Sequence, residues 1–170
     1  MTEMLISLSQ GQVAIIDAED FDRIMAFNPY WHAARDRTKP SVSFCAACTV
    51  RDSHNKPHTR FMHRVILNAQ AGQIVDHKNR NRLDNRKTNL RFSTHAENSY
   101  NQIKHSNNTS NFKGVSFEKS SSKWVARIGL SYDGYRTMNT IGRFTCPLEA
   151  AKAYDIMART LYGQFARTNF

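Results

Sequence analysis

Apolar residues in the first part of the chain recur with the short spacings of small strands and helices. Residues 4–16 predict two strands that meet at Gln10–Gly11. Asp17 is expected to cap a short helix that begins near Phe21, because apolar residues then recur at i, i+3 and i+4. Pro29 is expected to end that helix.

Three further apolar segments follow before residue 70. Residues 30–35 and 41–50 predict strands, and residues 59–69 predict a strand that runs into a short helix. Cys45 and Cys48 have the spacing of half a zinc site, but residues three apart on a strand point to opposite faces. We therefore interpret both thiols as structural.

The C-terminal part has a simple order of three strands and one helix. The predicted strands FKGVSFE, KWVARIGLS and YRTMNTIGRF precede a helix in CPLEAAKAYDIMARTLYG. Alternation along the middle strand places Trp124, Ala126 and Ile128 towards the helix. Arg127 then lies on the opposite, exposed face of the sheet, where cations can meet DNA.

The Asn- and Ser-rich residues 103–111 divide the chain. Their composition predicts a linker between a first domain at 1–102 and a second domain at 112–170. The predicted fold class is α+β. The first domain mixes strands and helices, and the second is a three-stranded antiparallel sheet packed on one helix.

The net charge of +10 is distributed unevenly along the chain. Residues 1–30 contain five acids and one cation, so the excess of Lys and Arg lies in the rest of the sequence. Such a basic region is expected to face a polyanion, most often nucleic acid, with a solvated basic surface as the alternative. No apolar run approaches the roughly 20 residues that span a bilayer, and the N-terminus lacks a basic signal segment. We therefore expect no membrane partner.

Residues 74–98, IVDHKNRNRLDNRKTNLRFSTHAEN, combine carboxylates, amides, cations and histidines with few apolar residues. Hydrolysis of a phosphodiester needs a metal ion, a base that activates water and a group that orients the base. Asp76 offers the hard oxygen that suits Mg²⁺, and His77 is a candidate base near neutral pH. The loop after them is suited to binding DNA phosphates, through Lys78, Arg80 and Arg82.

Two asparagines complete this pattern. Asn89 begins a predicted strand and can accept the other N–H of His77, which would fix the tautomer of the imidazole. Asn98 lies about one turn into a helix opened by Thr94-x-x-Glu97, where its amide oxygen can point at the ion. A lone Asp-His pair is more often structural, but three motif blocks in order favour a cleavage site.

The blocks Val-Asp-His, Asn-Leu-Arg and Glu-Asn resemble the HNH (His-Asn-His) endonucleases with a ββα-metal fold, especially the phage and intron-borne homing-type group. The resemblance covers about 60–102 strongly and 4–60 more loosely. It implies that Asp76 and Asn98 ligate one Mg²⁺ or Mn²⁺ ion, and that His77 is the base, oriented by Asn89. The upstream MHRVIL also resembles the His-Arg element of that family. His63 and Arg64 are expected either to contact a phosphate or to brace the site.

The second domain resembles the plant ethylene-response-factor (Apetala-two) DNA-binding domain. The similarity rests on FKGVSF, KWVARI, IGRF, the helix EAAKAYD and the terminal Asn-Phe, and covers nearly all of 112–170. It implies that the sheet lies in the major groove of double-stranded DNA. The residues expected to contact DNA are Lys113, Gly114, Ser116, Glu118, Arg127 and Arg136. Ser116 and Glu118 stand where plant members commonly have Arg, and Thr140 replaces a Trp, so the plant target sequence is not transferred.

The sequence therefore predicts a metal-dependent, site-specific DNA endonuclease of the homing or phage type, in the cytoplasm of a bacterium or phage-infected host. It is expected to need no small-molecule cofactor and to nick DNA as a monomer rather than a dimer, because the motif set occurs once. Three alternatives remain open. They are a DNA-binding regulator with an inactive nuclease fold, a nuclease for structured or damaged DNA, and an RNA-binding module.

Overall fold

The computed structural model describes residues 2–35, 43–102, 108–132 and 135–170. The protein is a mixed α+β chain with several small antiparallel sheets, as predicted. It forms two compact units, which divide between Thr94 and His95. Among the residues described, no helix is both long and apolar enough to cross a membrane.

The described residues of the first unit form seven short strands and two short helices. They are β1 Glu3–Ser7, β2 Val13–Asp17, α1 Phe21–Phe27, β3 His32–Arg35, β4 Phe44–Arg51, β5 Pro57–Phe61, α2 Met62–Ile66, β6 Ile74–His77 and β7 Leu90–Ser93. The antiparallel pairs are β1 with β2, β4 with both β3 and β5, and β6 with β7. The predicted strand pair at 4–16 and the strand that runs into a helix at 59–69 are both confirmed.

Apolar side chains from these small elements share one core. Ile16, Ile24 and Met62 are fully buried in it, and Leu90 brings β7 against the same cluster. The sheets that the structure describes in this unit have two or three strands each and are too small to bury both faces alone, so the short hairpins depend on each other for burial. This shared core fixes the hairpin β6–β7 in the fold.

Asp17 was predicted to cap a helix, and this prediction was wrong. Asp17 precedes a 3₁₀ turn at Ala18–Asp20, and its side chain makes no capping hydrogen bond there. Its Oδ2 instead accepts a hydrogen bond of 2.8 Å from the backbone N–H of Lys87. The carboxylate is 3 % exposed and ties the end of β2 to the loop before β7. Sequence spacing near Asp17 gives no sign of this partner 70 residues away.

The second unit contains the predicted three-stranded sheet and long helix. Its elements are α3 His95–Tyr100, β8 Val115–Glu118, β9 Lys123–Tyr132, β10 Tyr135–Phe144 and α4 Pro147–Tyr162. The strand order is β10-β9-β8, antiparallel throughout. Ala150, Ala151 and Ala158 of α4 have no exposed surface, and these small side chains let the helix approach the sheet closely.

The start of β8 needs a glycine. Gly114 has a positive φ of 75°, and an added Cβ would collide with the ring of Tyr154 on α4. The terminal Asn-Phe is also structural, because the backbone N–H groups of Asn169 and Phe170 donate to the buried carboxylate of Asp155 at 2.8 and 2.9 Å. These contacts hold the end of the chain against α4.

The division into units differs from the predicted domain limits. Helix α3 belongs to the second unit, where Tyr100 stacks on Tyr162 with ring centroids 3.8 Å apart. Within the predicted linker, residues 103–107 lie outside the described residues. Ser110 is buried, and its Oγ donates 2.8 Å to the Val115 carbonyl, so residues 108–111 pack against the start of β8.

Candidate active site

The hairpin β6–β7 carries the acidic and basic residues that the sequence singled out. Its register pairs Asp76 with Arg91 and His77 with Leu90, so both candidate residues lie at the end of β6. Asp76 is 7 % exposed and His77 is 5 % exposed. A carboxylate and an imidazole that are shielded from water in this way need hydrogen-bond or ionic partners, because burying a polar group without a partner costs free energy.

Arg91 is the partner of Asp76. Its Nε and Nη2 both donate to Oδ2 of Asp76, at 2.9 and 2.6 Å. The two side chains are 9 % and 7 % exposed, which makes this a buried ion pair. Arg91 was not among the residues predicted for the site, although the antiparallel register of the two strands places it opposite Asp76.

The side-chain amide of Asn85 contacts the imidazole of His77. Its Oδ1 lies 3.3 Å from Nε2 of His77, while its Nδ2 donates to the Leu83 carbonyl at 3.1 Å. Because the Nδ2 group points at a carbonyl, the atom that faces the imidazole is an acceptor, and Nε2 of His77 therefore carries the proton. The lone pair is then on Nδ1 of His77.

Backbone hydrogen bonds place Asn85 beside the imidazole. Asn85 has no exposed surface, and its N–H donates to the Ile15 carbonyl at 2.7 Å. The N–H of Ile15 donates in turn to the Leu83 carbonyl at 2.8 Å, which attaches the loop to β2. The N-terminal hairpin thus positions a group that contacts the candidate base.

Burial lowers the pKa of His77, and the hydrogen bond with Asn85 opposes that change. An imidazole whose pKa is lowered is neutral at neutral pH, which is the state that a general base requires. The charge of Arg82 lowers the same pKa further.

His63 packs directly against the candidate base. Its ring and the His77 ring pack edge to face with centroids 5.0 Å apart, and it also stacks on Phe61 with centroids 5.6 Å apart. His63 is 8 % exposed, and among the residues that the structure describes its Nδ1 has no hydrogen-bond partner. Burial, with help from the charges of His77 and Arg82, lowers the pKa of His63 to about 3.

Arg64, in contrast, is engaged with backbone. Its guanidinium donates to the carbonyls of Gln73 at 2.6 Å and Gln70 at 2.8 Å. These bonds connect α2 with the turn that leads into β6. Of the two predicted roles for Arg64, this geometry matches the brace rather than the phosphate contact.

Asn89 holds the loop between β6 and β7. Its Oδ1 accepts from the backbone N–H of Asn79 at 3.0 Å, and its Nδ2 donates to the Asp84 carbonyl at 2.7 Å. The amide thus clamps both arms of the loop, while Asn85 takes the position beside His77 that the sequence assigned to Asn89. Any effect of Asn89 on the base passes through the loop.

Several cations of this loop have internal partners. Arg86 donates to both oxygens of the buried Asp84, at 2.8 and 2.7 Å, and lowers the pKa of that carboxyl. Lys87 pairs with Glu19 at 2.6 Å. The acidic N-terminal region therefore neutralises part of the charge of the loop.

The cations predicted to bind phosphates lie at the other side of the loop. Nζ of Lys78 donates to the Thr88 carbonyl at 2.7 Å, although the residue is exposed. Arg80 is exposed and adopts a positive φ of 64°, and Arg82 is partly exposed. Their roles towards DNA stay predictions.

The donor chemistry of Asp76 fits a hard divalent cation, since a carboxylate oxygen is the ligand that Mg²⁺ prefers. Asn98, the second predicted ligand, lies in α3 of the second unit. Over the ranges that the structure describes, no group of three or more His, Cys, Asp or Glu side chains is arranged to hold a metal ion. Cys45 and Cys48 are both buried in β4, and burial raises the pKa of the Cys48 thiol.

The sheet of the second unit presents its cations on the face away from α4. Arg127 donates to Ser116 Oγ at 3.3 Å and to Glu118 Oε1 at 3.1 Å. Glu118 also accepts from Arg143 Nε at 2.8 Å, a cation that the sequence analysis did not select. Three predicted DNA contacts are thus brought together, and Arg143 joins them.

The remaining predicted DNA contacts lie at the two edges of the same sheet, Lys113 and Gly114 before β8 and Arg136 on β10. The Lys113 ammonium donates to the Tyr100 carbonyl at 2.6 Å, and its backbone N–H donates to Asn169 Oδ1. Gly114 is required by the close approach of Tyr154 whatever else it contacts. Arg136, on β10, is exposed, and within the described residues it forms no hydrogen bond or ion pair.

The candidate site lies in a segment that matches a known protein family. Residues 60–100 match the HNH endonuclease family. The matched range begins at β5 and includes α2, the hairpin β6–β7 and α3, so it contains all four residues predicted to form the HNH site. The predicted resemblance to HNH endonucleases is confirmed for this segment.

One similar protein comes from Acanthamoeba polyphaga mimivirus. It is described as an uncharacterized HNH endonuclease and is 31% identical over 114 residues. The aligned region is 65% of this chain and 55% of the relative, so the chain spans about half the length of the relative that it matches. No solved structure matches the chain.

Proposed function

We propose that the protein is a metal-dependent, site-specific DNA endonuclease of the homing or phage type, in which His77 is the general base. The observation that carries the proposal is the HNH endonuclease match over 60–100 together with the neutral, buried His77 next to Asp76 at the end of β6. A viral relative described as an HNH endonuclease supports the same class.

The tautomer of His77 supports a specific proton path. Because Nε2 of His77 carries a proton towards Asn85, its Nδ1 is the atom that takes a proton from the attacking water. Asp76, and Asn98 by its motif position, would hold a divalent ion. When bound, that ion offsets the negative charge that develops on the phosphate. Asn89 contributes by keeping the loop around the base closed.

In this proposal the C-terminal sheet selects the target. Arg127, Arg136 and Arg143 lie on strands β9 and β10 of a sheet whose other face is covered by α4. A positively charged sheet with one open face has a shape that other sheet proteins insert into a DNA groove. The resemblance to the Apetala-two domain supports the same placement on double-stranded DNA.

One observation favours the alternative of a DNA-binding regulator with an inactive nuclease fold. Arg91 already donates two hydrogen bonds to Asp76, and a guanidinium at that carboxylate opposes a second cation there. Incubation of supercoiled plasmid with the full chain, with and without Mg²⁺, decides between the two. Relaxation that requires Mg²⁺ supports the endonuclease. Binding without strand cleavage in Mg²⁺ and in Mn²⁺ would support the regulator.

A further inference from the structure

The carboxylate of Glu118 is shared by two arginines from neighbouring strands. Its Oε1 accepts from Nη2 of Arg127 at 3.1 Å, and its Oε2 accepts from Nε of Arg143 at 2.8 Å. Ser121 Oγ donates to the same Oε2 at 2.7 Å. One side chain of β8 therefore connects with β9 and β10 at once.

The register places these side chains on one face of the sheet. Ser116 pairs with Val125, which pairs with Arg143, so the three residues form one row across the sheet. Glu118 and Arg127 lie two residues along from that row on their own strands, and therefore share its face. This face is opposite to the one on which β9 packs its apolar residues against α4, because Ala126 and Ile128 belong to that core.

The exposure of the three charged groups shows which of them a ligand reaches first. The Glu118 side chain is 20 % exposed, whereas Arg127 and Arg143 are 38 % and 51 % exposed. Both oxygens of Glu118 already accept hydrogen bonds from cations. Before Glu118 could accept a hydrogen bond from a base, for example from a cytosine amine, its hydrogen bonds with Arg127 and Arg143 would have to break.

A carboxylate between two guanidiniums has two effects on DNA recognition. It reduces the local charge from two positive charges to one, which weakens sequence-independent attraction to phosphate. It also fixes the direction of each guanidinium, and a fixed guanidinium can meet the two acceptors of a guanine edge in a bidentate way. Exposed ion pairs contribute little to folding stability, so a purely structural role explains this arrangement poorly.

We propose that Glu118 is a specificity-determining residue that acts through Arg127 and Arg143, holding both arginines for base contacts rather than touching a base itself. This inference rests on the proposed DNA-binding function. It assigns Glu118 to positioning, where the sequence analysis expected a direct contact, and it adds Arg143 to the residues that contact DNA.

The first test measures binding of the full chain, in EDTA, to a pool of duplexes with randomised sequence. Glu118→Gln should bind the pool about fivefold tighter or more at low salt, and the slope of log affinity against log salt should steepen by about one. Glu149→Gln is the matched control, because it removes the same charge from an exposed position on α4. That variant should stay within about twofold of the unchanged protein.

The second test sequences the duplexes that each variant selects from the same pool. Glu118→Gln should lose base preference at one or more positions that the unchanged chain selects. Arg143→Lys should keep affinity for the unselected pool but lose preference, because lysine keeps the charge and lacks the bidentate fork. An Arg143 Nε–H signal in ¹⁵N NMR spectra that shifts in Glu118→Gln reports the contact without DNA.

The outcomes separate this inference from the function on which it rests. If Glu118→Gln binds the pool more weakly, or keeps every base preference, Glu118 does not act as we propose, while DNA binding stands. An unshifted Arg143 Nε–H signal would overturn the contact itself. If the unchanged chain binds no duplex in EDTA or in Mg²⁺, the DNA-binding function is wrong and the role of Glu118 with it.

Discussion

The side-chain oxygen of Asn85 lies 3.3 Å from Nε2 of His77, and the Asn85 amide N–H₂ group is fixed in the other direction by the Leu83 carbonyl. This pair determines which imidazole nitrogen carries the proton. It also connects the candidate base to β2, because the backbone of Asn85 bonds to Ile15. Catalysis is therefore expected to depend on an asparagine outside the three recognised motif blocks.

Asn85→Leu tests that dependence. Leucine has a similar volume but no acceptor, so His77 loses the contact that selects its tautomer, and cleavage should fall about 10- to 100-fold. DNA affinity should change little, since Asn85 is fully buried. The measurement is the single-turnover cleavage rate beside a binding isotherm. A cleavage rate of Asn85→Leu equal to that of the unchanged chain would remove Asn85 from the site.

Arg91→Leu tests the buried ion pair with Asp76. The variant leaves a buried carboxylate without its guanidinium partner, and the free energy of unfolding should fall by about 3–5 kcal/mol. The double change Asp76→Asn with Arg91→Leu should recover much of that loss. Urea denaturation measures each value. Glu19→Gln, which breaks an exposed pair with Lys87, should cost no more than about 1 kcal/mol. A similarly small cost for Arg91→Leu would show that the pair is solvated.

His63 should make stability depend on pH. Its pKa is lowered to about 3 in the fold, against an ordinary value near 6.5, so the unfolded chain binds the proton first as pH falls. Its contribution is complete above about pH 6.5 and is lost as pH falls towards 3, reaching about 2 kcal/mol of lost stability at pH 5.

His63→Phe should remove that part of the pH dependence, because phenylalanine keeps a ring on Phe61 and does not titrate. The test compares free energies of unfolding at pH 7.5 and pH 5 for the unchanged chain, His63→Phe and the exposed control His54→Gln. The same loss on acidification in all three proteins would contradict the account of His63.

The hydrophobic pattern was sufficient to predict most elements of the fold. The motif blocks that contain Asp76, His77, Asn89 and Asn98 were sufficient to predict the match with HNH endonucleases over residues 60–100. What the sequence did not provide are the partners across the fold. Asp17 bonds to Lys87, and Asn85 depends on Ile15, because the N-terminal hairpin lies beside the loop after β6. The two residues of each pair are about 70 positions apart in the sequence. Neither periodicity nor motif spacing encodes contacts at that separation.

The division of the chain shows a similar limit. Composition marked residues 103–111 as a linker, and among the residues of this segment that the structure describes, Ser110 is buried. Asn- and Ser-rich segments also form dense turns when their side chains bond to nearby carbonyls, and composition alone does not distinguish the two.

A single HNH segment predicts that one protein molecule nicks one strand per binding event. Open-circular plasmid should accumulate first, at a rate that is first order in protein, and linear DNA should follow later. A time course at several low protein concentrations measures this. Linear product that forms directly with second-order dependence, or a palindromic cut site, would show that two copies act together.

The most direct test of the account compares the unchanged chain with His77→Ala on supercoiled plasmid in Mg²⁺, with DNA binding measured in parallel. His77 is the proposed base, so His77→Ala should lose about 100-fold or more in cleavage rate while its affinity for DNA stays nearly unchanged. His54→Ala changes an exposed histidine between β4 and β5, and this variant should cleave normally. Cleavage by His77→Ala within about tenfold of the unchanged chain would contradict the assignment of His77 as the base.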